Sequence, residues 1–198
     1  MNNIVVTGSN GQLGSEIRAI ASQFSDYNFI FTDVDELDIT KSIEVELFFR
    51  KNNISVCINC AAYTAVDNAE DERELAMLIN YESVENLANV CNVNNTLLIQ
   101  ISTDYVFNGQ QYWPYVETDL PAPDSYYGLT KLKSEQAVME IAKKSIVIRT
   151  SWLYSSFGNN FVKTMMRLGR ERDELGVVVD QIGTPTFAAD LANAIMKI

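Results

Sequence analysis

Apolar residues in this chain fall into short runs of strand length at 4–6, 29–32, 54–60, 97–101, 146–148 and 177–179, with longer amphipathic stretches between them. Helical periodicity is clear at Leu13, Ile17, Ile20 and Ala21, and again over 71–91 (Leu75, Leu78, Ile79, Leu87, Val90). It returns over 130–142 (Leu132, Ala137, Val138, Ile141) and 160–168 (Phe161, Met165, Leu168). Strands apolar on both faces, alternating with helices, predict an α/β protein: a doubly wound parallel sheet with helices on both faces. No repeat, low-complexity segment or linker divides residues 1–198, so one domain is expected. The segment Gly109 to Ser125 holds three of the four prolines and has weak periodicity, which predicts a long loop near the strand C-termini. The last helical pattern opens at Ala188-Ala189-Asp190 and reaches Ile198 with no residue that would close it, so a further C-terminal part is expected beyond it.

The first run, Ile4-Val5-Val6, leads directly into Thr7-Gly8-Ser9-Asn10-Gly11-Gln12-Leu13-Gly14. A strand that enters three glycines and then a helix leaves bare backbone N–H groups at a helix N-terminus, which is an anion site. Gly8 would permit the tight turn, Gly11 would let backbone approach a pyrophosphate, and Gly14 would let helix and strand pack closely. The second run ends in Asp33, 19 residues after Gly14, where a dinucleotide site places a carboxylate for the ribose hydroxyls.

Composition narrows the chemistry. At 198 residues, with 47% apolar and 21% charged residues, the chain can bury a large core. A net charge of −11 argues against nucleic-acid and anionic-membrane partners, and the group Arg167, Arg170 and Arg172 is interleaved with acids as on a solvated helix face. No apolar run reaches the roughly 18 residues of a membrane span, and the N-terminus enters a strand without a basic region or cleavage site, so a cytoplasmic protein is expected. The absence of histidine excludes His-based triads and the usual Cys/His zinc sites. Cys57 and Cys60 form a C-x-x-C within a strand pattern, which points their side chains to opposite faces and reads as core. No metal site is assigned.

Polar residues follow each later strand, where such a fold places its ligand crevice. Asp38 could accept from an adenine amine while Ile39 covers the ring; equally, Asp38 or Thr40 could cap the next helix. In Asn59-Cys60-Ala61-Ala62-Tyr63-Thr64, small residues such as Ala61 and Ala62 would let backbone lie close to a dinucleotide, or serve packing alone. Thr103 would present a hydroxyl free to bond a substrate oxygen. Tyr127 and Lys131, four apart, share one helix face, and a nearby ammonium would lower the phenol from its ordinary pKa of roughly 10.

With these features together the chain resembles the extended short-chain dehydrogenase/reductases, and within them the dTDP-4-dehydrorhamnose reductases. The similarity runs from Ile4 to about Leu191. It is carried by Asn59 to Glu70 (NCAAYTAVDNAE), Ser102 to Asn108 (STDYVFN), Tyr127 to Lys131, Arg149 to Tyr154 (RTSWLY), Gly158 to Met165 (GNNFVKTM) and Asp180 to Thr186 (DQIGTPT). The resemblance implies a Rossmann-like NAD(P)-binding domain over 1–198 that carries the catalytic residues, with the C-terminal part that completes the sugar-nucleotide pocket largely absent. It implies a catalytic set of Thr103, Tyr127 and Lys131, and contacts to NADPH or NADH from Gly11, Gln12, Leu13, Asp33, Asp38, Ile39, Ala62 and Thr64. Thr103, Asp104 and Trp152 would contact a dTDP-sugar; for Trp152 a buried core indole is the alternative. The implied reaction reduces a C4 ketone to give dTDP-L-rhamnose, a precursor of surface polysaccharide. Some members form homodimers through acidic residues and Mg²⁺, in which Glu16 would take part.

Two departures bear on this. No basic residue follows the second strand to hold a 2′-phosphate, and Asp33 would repel one, which leans toward NADH by charge; the resembling enzymes often accept both, and the choice stays open. A 4,6-dehydratase of the same superfamily carries Asp-Glu after the threonine, whereas Tyr105 stands here in place of the Glu. Other sugar-nucleotide epimerases or reductases remain alternatives. So does a non-catalytic subunit like that of methionine adenosyltransferase, which would keep the dinucleotide site and lack the sugar site.

Overall fold

A computed structural model describes residues 2–198. Five strands, β1 (Asn2–Thr7), β2 (Tyr27–Phe31), β3 (Ile54–Asn59), β4 (Leu97–Thr103) and β5 (Ser145–Thr150), form one parallel sheet in the order β2-β1-β3-β4-β5. The pleat sends alternate residues to opposite faces. Ile4, Val6, Ile58 and Ile99 meet Leu13 and Ile17 of α1 (Gln12–Ile20) and Ala192 and Ile195 of α7 (Ala188–Ile195). Val5, Cys57 and Leu98 face the other way, onto Val45 and Phe49 of α2 (Ser42–Asn52), Leu87 and Cys91 of α4 (Ser83–Val93), and Val138 of α5 (Tyr126–Ile141). Each fully buried aliphatic or aromatic side chain contributes roughly 1.5–3 kcal/mol, so both helix layers are held by the same strands. Cys57 and Cys60 lie in the two different cores and are free, in line with the expected core role.

The expected doubly wound sheet is therefore present, and its order decides where a ligand fits. From β1 the chain passes to β2 on one side and later returns to β3 on the other. Connections leaving the C-terminal ends of β1 and β3 diverge, and the crevice opens between them.

Two expectations need correction. Val177–Val179 form no strand: their side chains are exposed, Val179 at 94%, and no neighbouring strand supplies hydrogen bonds, so β-branched composition alone does not extend the sheet. Over 71–91 the helix is not continuous; α3 (Arg73–Met77) passes through a π turn at Leu78–Glu82 into α4. The wider turn changes the phase, leaving Leu75 and Leu78 exposed and bringing in Ala76, Asn80, Ser83 and Val84 instead. Helix α6 (Phe161–Glu171) forms as expected but buries none of its residues fully, and Phe161 and Met166 are more than half exposed. Gly109 to Ser125 contains neither helix nor strand, as expected of the loop.

Candidate active site

The glycine loop follows β1 with Gly8 at φ +60°, a conformation that favours glycine. A Cβ on Gly8 would lie 2.6 Å from the backbone of Ala61, so this glycine lets the loop touch the end of β3. A Cβ on Gly14 would meet Ser9 Cα at 2.5 Å and Gly8 O at 2.8 Å, so the close approach this glycine permits is to the loop itself. Gly11 differs, since a Cβ there would meet only Gly8 O, at 3.2 Å. Packing within the protein does not demand a glycine at that position. Gly11 stands at the N-terminus of α1, where no side chain caps the helix.

Around this loop the predicted residues divide. Asp33 Oδ2 accepts from Asn10 N–H at 2.9 Å, tying the end of β2 to the loop and leaving further acceptor sites on the carboxylate. Asp38 caps no helix: its Oδ1 accepts from Thr40 N–H at 2.9 Å and Thr40 Oγ1 at 2.7 Å, and the Thr40 hydroxyl holds its carboxyl below the usual range. Ile39 is buried in the core with Val45 and Phe49. Leu13 is buried under α1, Ala61 and Ala62 are half-buried along the crevice, and Thr64 is exposed. Gln12 reaches away from the loop, accepting from Asn160 Nδ2 at 2.9 Å and donating to Leu153 O at 3.3 Å. Glu16 is turned inward, accepting from Ser155 Oγ at 2.6 Å, and among the described residues no group of three or more His, Cys, Asp or Glu is placed to hold a metal.

Thr103, Tyr127 and Lys131 converge at the end of β4, and all three are buried, at 6%, 8% and 2% exposure. Helix α5 starts at Ser125, whose Oγ accepts from Gly128 N–H at 3.1 Å. Gly128 lies against the turn after β4; a Cβ there would be 2.2 Å from Tyr105 O, so this glycine brings Tyr127 up to Thr103. The Tyr127 ring meets Tyr105 edge-on at 5.7 Å, and its phenol faces the Thr103 hydroxyl. Burial, together with Asp104 and Tyr105, pushes the phenol up to about 12, the reverse of the expected depression. The reason is geometric: Lys131 directs its Nζ to Ile101 O at 2.7 Å. The Thr103 hydroxyl is not free either, as it donates to Asp104 Oδ1 at 3.1 Å and accepts from Tyr105 N–H at 3.2 Å.

Burial lowers Lys131 to about 8, opposed by Glu135 and Cys60. Glu135 is itself held by Arg149 of β5 through two bonds of 2.9 and 2.6 Å, so one buried carboxylate serves both cations. Asn80, fully buried in the π turn, accepts from Tyr63 N–H and donates to Tyr63 O and Thr130 Oγ1, joining the loop after β3 to α5. None of Ser125, Gly128, Asn80, Glu135 and Arg149 was given a role from the sequence, although Gly128 and Arg149 lie in segments that carry the resemblance. Only Ser125 carries a local signal, a capping residue just before a helical pattern. Trp152 is not a core indole. It is 40% exposed, stands at φ +45°, unusual for a bulky residue, and covers Gly183, where a Cβ would lie 2.4 Å from its Nε1.

The family model described as RmlD substrate binding domain matches residues 1–198. The chain belongs to the RmlD substrate-binding-domain family. A member from Aggregatibacter actinomycetemcomitans, dTDP-4-dehydrorhamnose reductase, is 41% identical over all of this chain and 67% of its own length. Two solved RmlD-like structures superimpose closely. The dTDP-4-dehydrorhamnose reductase of Clostridium acetobutylicum ATCC 824 is 47% identical with a TM-score of 0.95, over 98% of this chain and 69% of that one. The Bacillus anthracis str. Ames enzyme in complex with NADP is 44% identical with a TM-score of 0.96, over 100% and 70%. The chain thus spans about two thirds of the length of the curated relatives it matches, 64% for the Escherichia coli K12 protein.

Proposed function

We propose that this chain is the nicotinamide-binding and catalytic part of a dTDP-4-dehydrorhamnose reductase, acting in the cytoplasm. It would reduce the C4 ketone of dTDP-4-dehydro-β-L-rhamnose (dTDP-4-dehydro-6-deoxy-L-mannose) to dTDP-L-rhamnose with NADH or NADPH. The observation that carries the reading is the convergence of Thr103, Tyr127 and Lys131 at the C-terminal end of β4, in the same parallel sheet whose β1 opens the glycine loop. The relatives named as this reductase support it.

The bound nicotinamide would supply the hydride. Gly8, Gly11 and Gly14 shape its phosphate site, with Gln12 and Leu13 opening the helix. Asp33, Asp38, Ala61, Ala62 and Thr64 would line the rest of the cofactor side, with Ile39 supporting it from the core, and Trp152 with Asp104 would line the sugar side. No basic residue follows β2, and Asp33 already bonds the loop, which favours NADH by charge; the NADP held by the Bacillus anthracis relative keeps NADPH in the proposal. With a pKa near 12 the phenol keeps its proton at working pH, and an alkoxide, a stronger base than phenolate, can take it. Lys131, cationic below about 8, would stabilise the charge left on the phenolate.

The test is oxidation of NADH and NADPH with the dTDP-4-keto sugar by this chain and by Tyr127→Phe. The variant is expected to lose roughly 10²–10⁴-fold in turnover and to keep its cofactor affinity. Equal turnover by the variant contradicts the acid role of Tyr127.

A further inference from the structure

A threonine hydroxyl offers one proton and accepts two. The Thr103 proton goes to Asp104 Oδ1 at 3.1 Å, one lone pair takes Tyr105 N–H at 3.2 Å, and the Tyr127 phenol faces the same oxygen. The one donor proton is taken, so none is left for a substrate oxygen. A ketone is a neutral acceptor, and hydrogen bonds to a carboxylate are roughly twice as strong as neutral ones. While Asp104 is ionised, a ketone loses the competition for that proton.

We propose that Asp104 is a positioning residue: its carboxyl decides whether the Thr103 proton points at Asp104 or at the ketone, and the neutral carboxyl is the form that supports reduction. This rests on the reductase reading above. In the neutral form Asp104 donates its own proton to Thr103 Oγ1, and the Thr103 proton turns to the ketone beside that of Tyr127. Only hydrogen bonds change. Burial raises the Asp104 carboxyl above its ordinary range and brings the switch toward working pH. The groups around it are Thr103 on β4, Tyr105 on its own turn, Tyr127 on α5 and, beyond Tyr105, Asp67 from the turn after β3. The Lys131 ammonium donates to Ile101 O.

Asp104→Asn tests this, because its amide N–H donates to Thr103 as a neutral carboxyl would. In the unaltered chain kcat for ketone reduction should rise as pH falls through the Asp104 ionisation. In the variant that rise should be absent, with kcat near neutrality about threefold or more above the unaltered chain, as expected when a charged competitor is replaced by a neutral one. A uniform loss of about tenfold or more at every pH, or an unchanged acid-side rise, overturns the proposal. A neutron structure of the chain without ligand, near neutral pH, reads the same point without turnover. Deuterium on Thr103 aimed at Asp104 supports the proposal, and deuterium aimed into the crevice overturns it. If the unaltered chain oxidises no cofactor, the reductase reading fails, while the neutron result still decides the role of Asp104.

Discussion

The two ends of the crevice are built in opposite ways. At the glycine-loop end the work is done by backbone shape: Gly8 at φ +60° meets the Ala61 backbone, Gly14 meets Ser9, and the polar groups, Asp33 and Asp38, remain partly in water. At the α5 end it is done by buried ionisable groups, with Tyr127 raised to about 12 and Lys131 lowered to about 8 by the same burial. The first end is sensitive to a methyl group. The second depends on shape at one point, Gly128 against Tyr105 O, and beyond that on charge, because each buried charge depends on a named partner, Glu135 for Lys131 and Arg149 for Glu135.

The sharpest way to break this contrast is within the glycine loop. Gly8→Val adds a β-branched side chain at positive φ and a 2.6 Å clash, and should cost at least about 3 kcal/mol in denaturant unfolding. Gly11→Val should leave stability within about 1 kcal/mol and reduce cofactor affinity about 100-fold or more by calorimetry, since the space it fills is the ligand's. Unaltered affinity for Gly11→Val would mean that the loop does not hold the phosphates.

At the other end, Lys131→Met isolates the buried charge. Unfolded, the amine keeps its proton to about pH 10.5; folded, it releases it near 8. Between those values the unfolded chain binds more protons, so stability rises with pH, and the full penalty is present below 8. A displacement of that size corresponds to about 3 kcal/mol. The difference in unfolding free energy between the chain and Lys131→Met should shrink by about that amount from pH 7 to 10.5, and a constant difference would place the ammonium in water. The smallest effect is expected for Ser125→Ala, which removes the bond to Gly128 N–H and should cost about 1 kcal/mol while lowering kcat more than it raises KM.

The sheet was legible because Ile4, Val5 and Val6 alternate between two cores and each later run repeats that device. Val177–Val179 carry the same pattern without a neighbouring strand, and pairing is not written in a segment's own residues. The spacing of Tyr127 and Lys131 predicted a shared helix face; the fold buries both. That spacing misjudged the electrostatics, because spacing along a helix reports direction and not burial, nor that Ile101 O takes the ammonium. The roles of Arg149 and Asn80 were invisible for a related reason: their partners lie 14 to 50 residues away and meet only when β5 and the π turn are in place.

The account rests on transfer of hydride to a carbonyl held against Tyr127 and Thr103. The most direct measurement follows the atom itself: the chain is given cofactor deuterated at the transferable position of nicotinamide C4, together with the dTDP-4-keto sugar, and the product is read by mass spectrometry and NMR. The account predicts product carrying one deuterium at sugar C4, formed by the unaltered chain and lost in Tyr127→Phe. Unlabelled product, or labelled product made equally well by the variant, would contradict it.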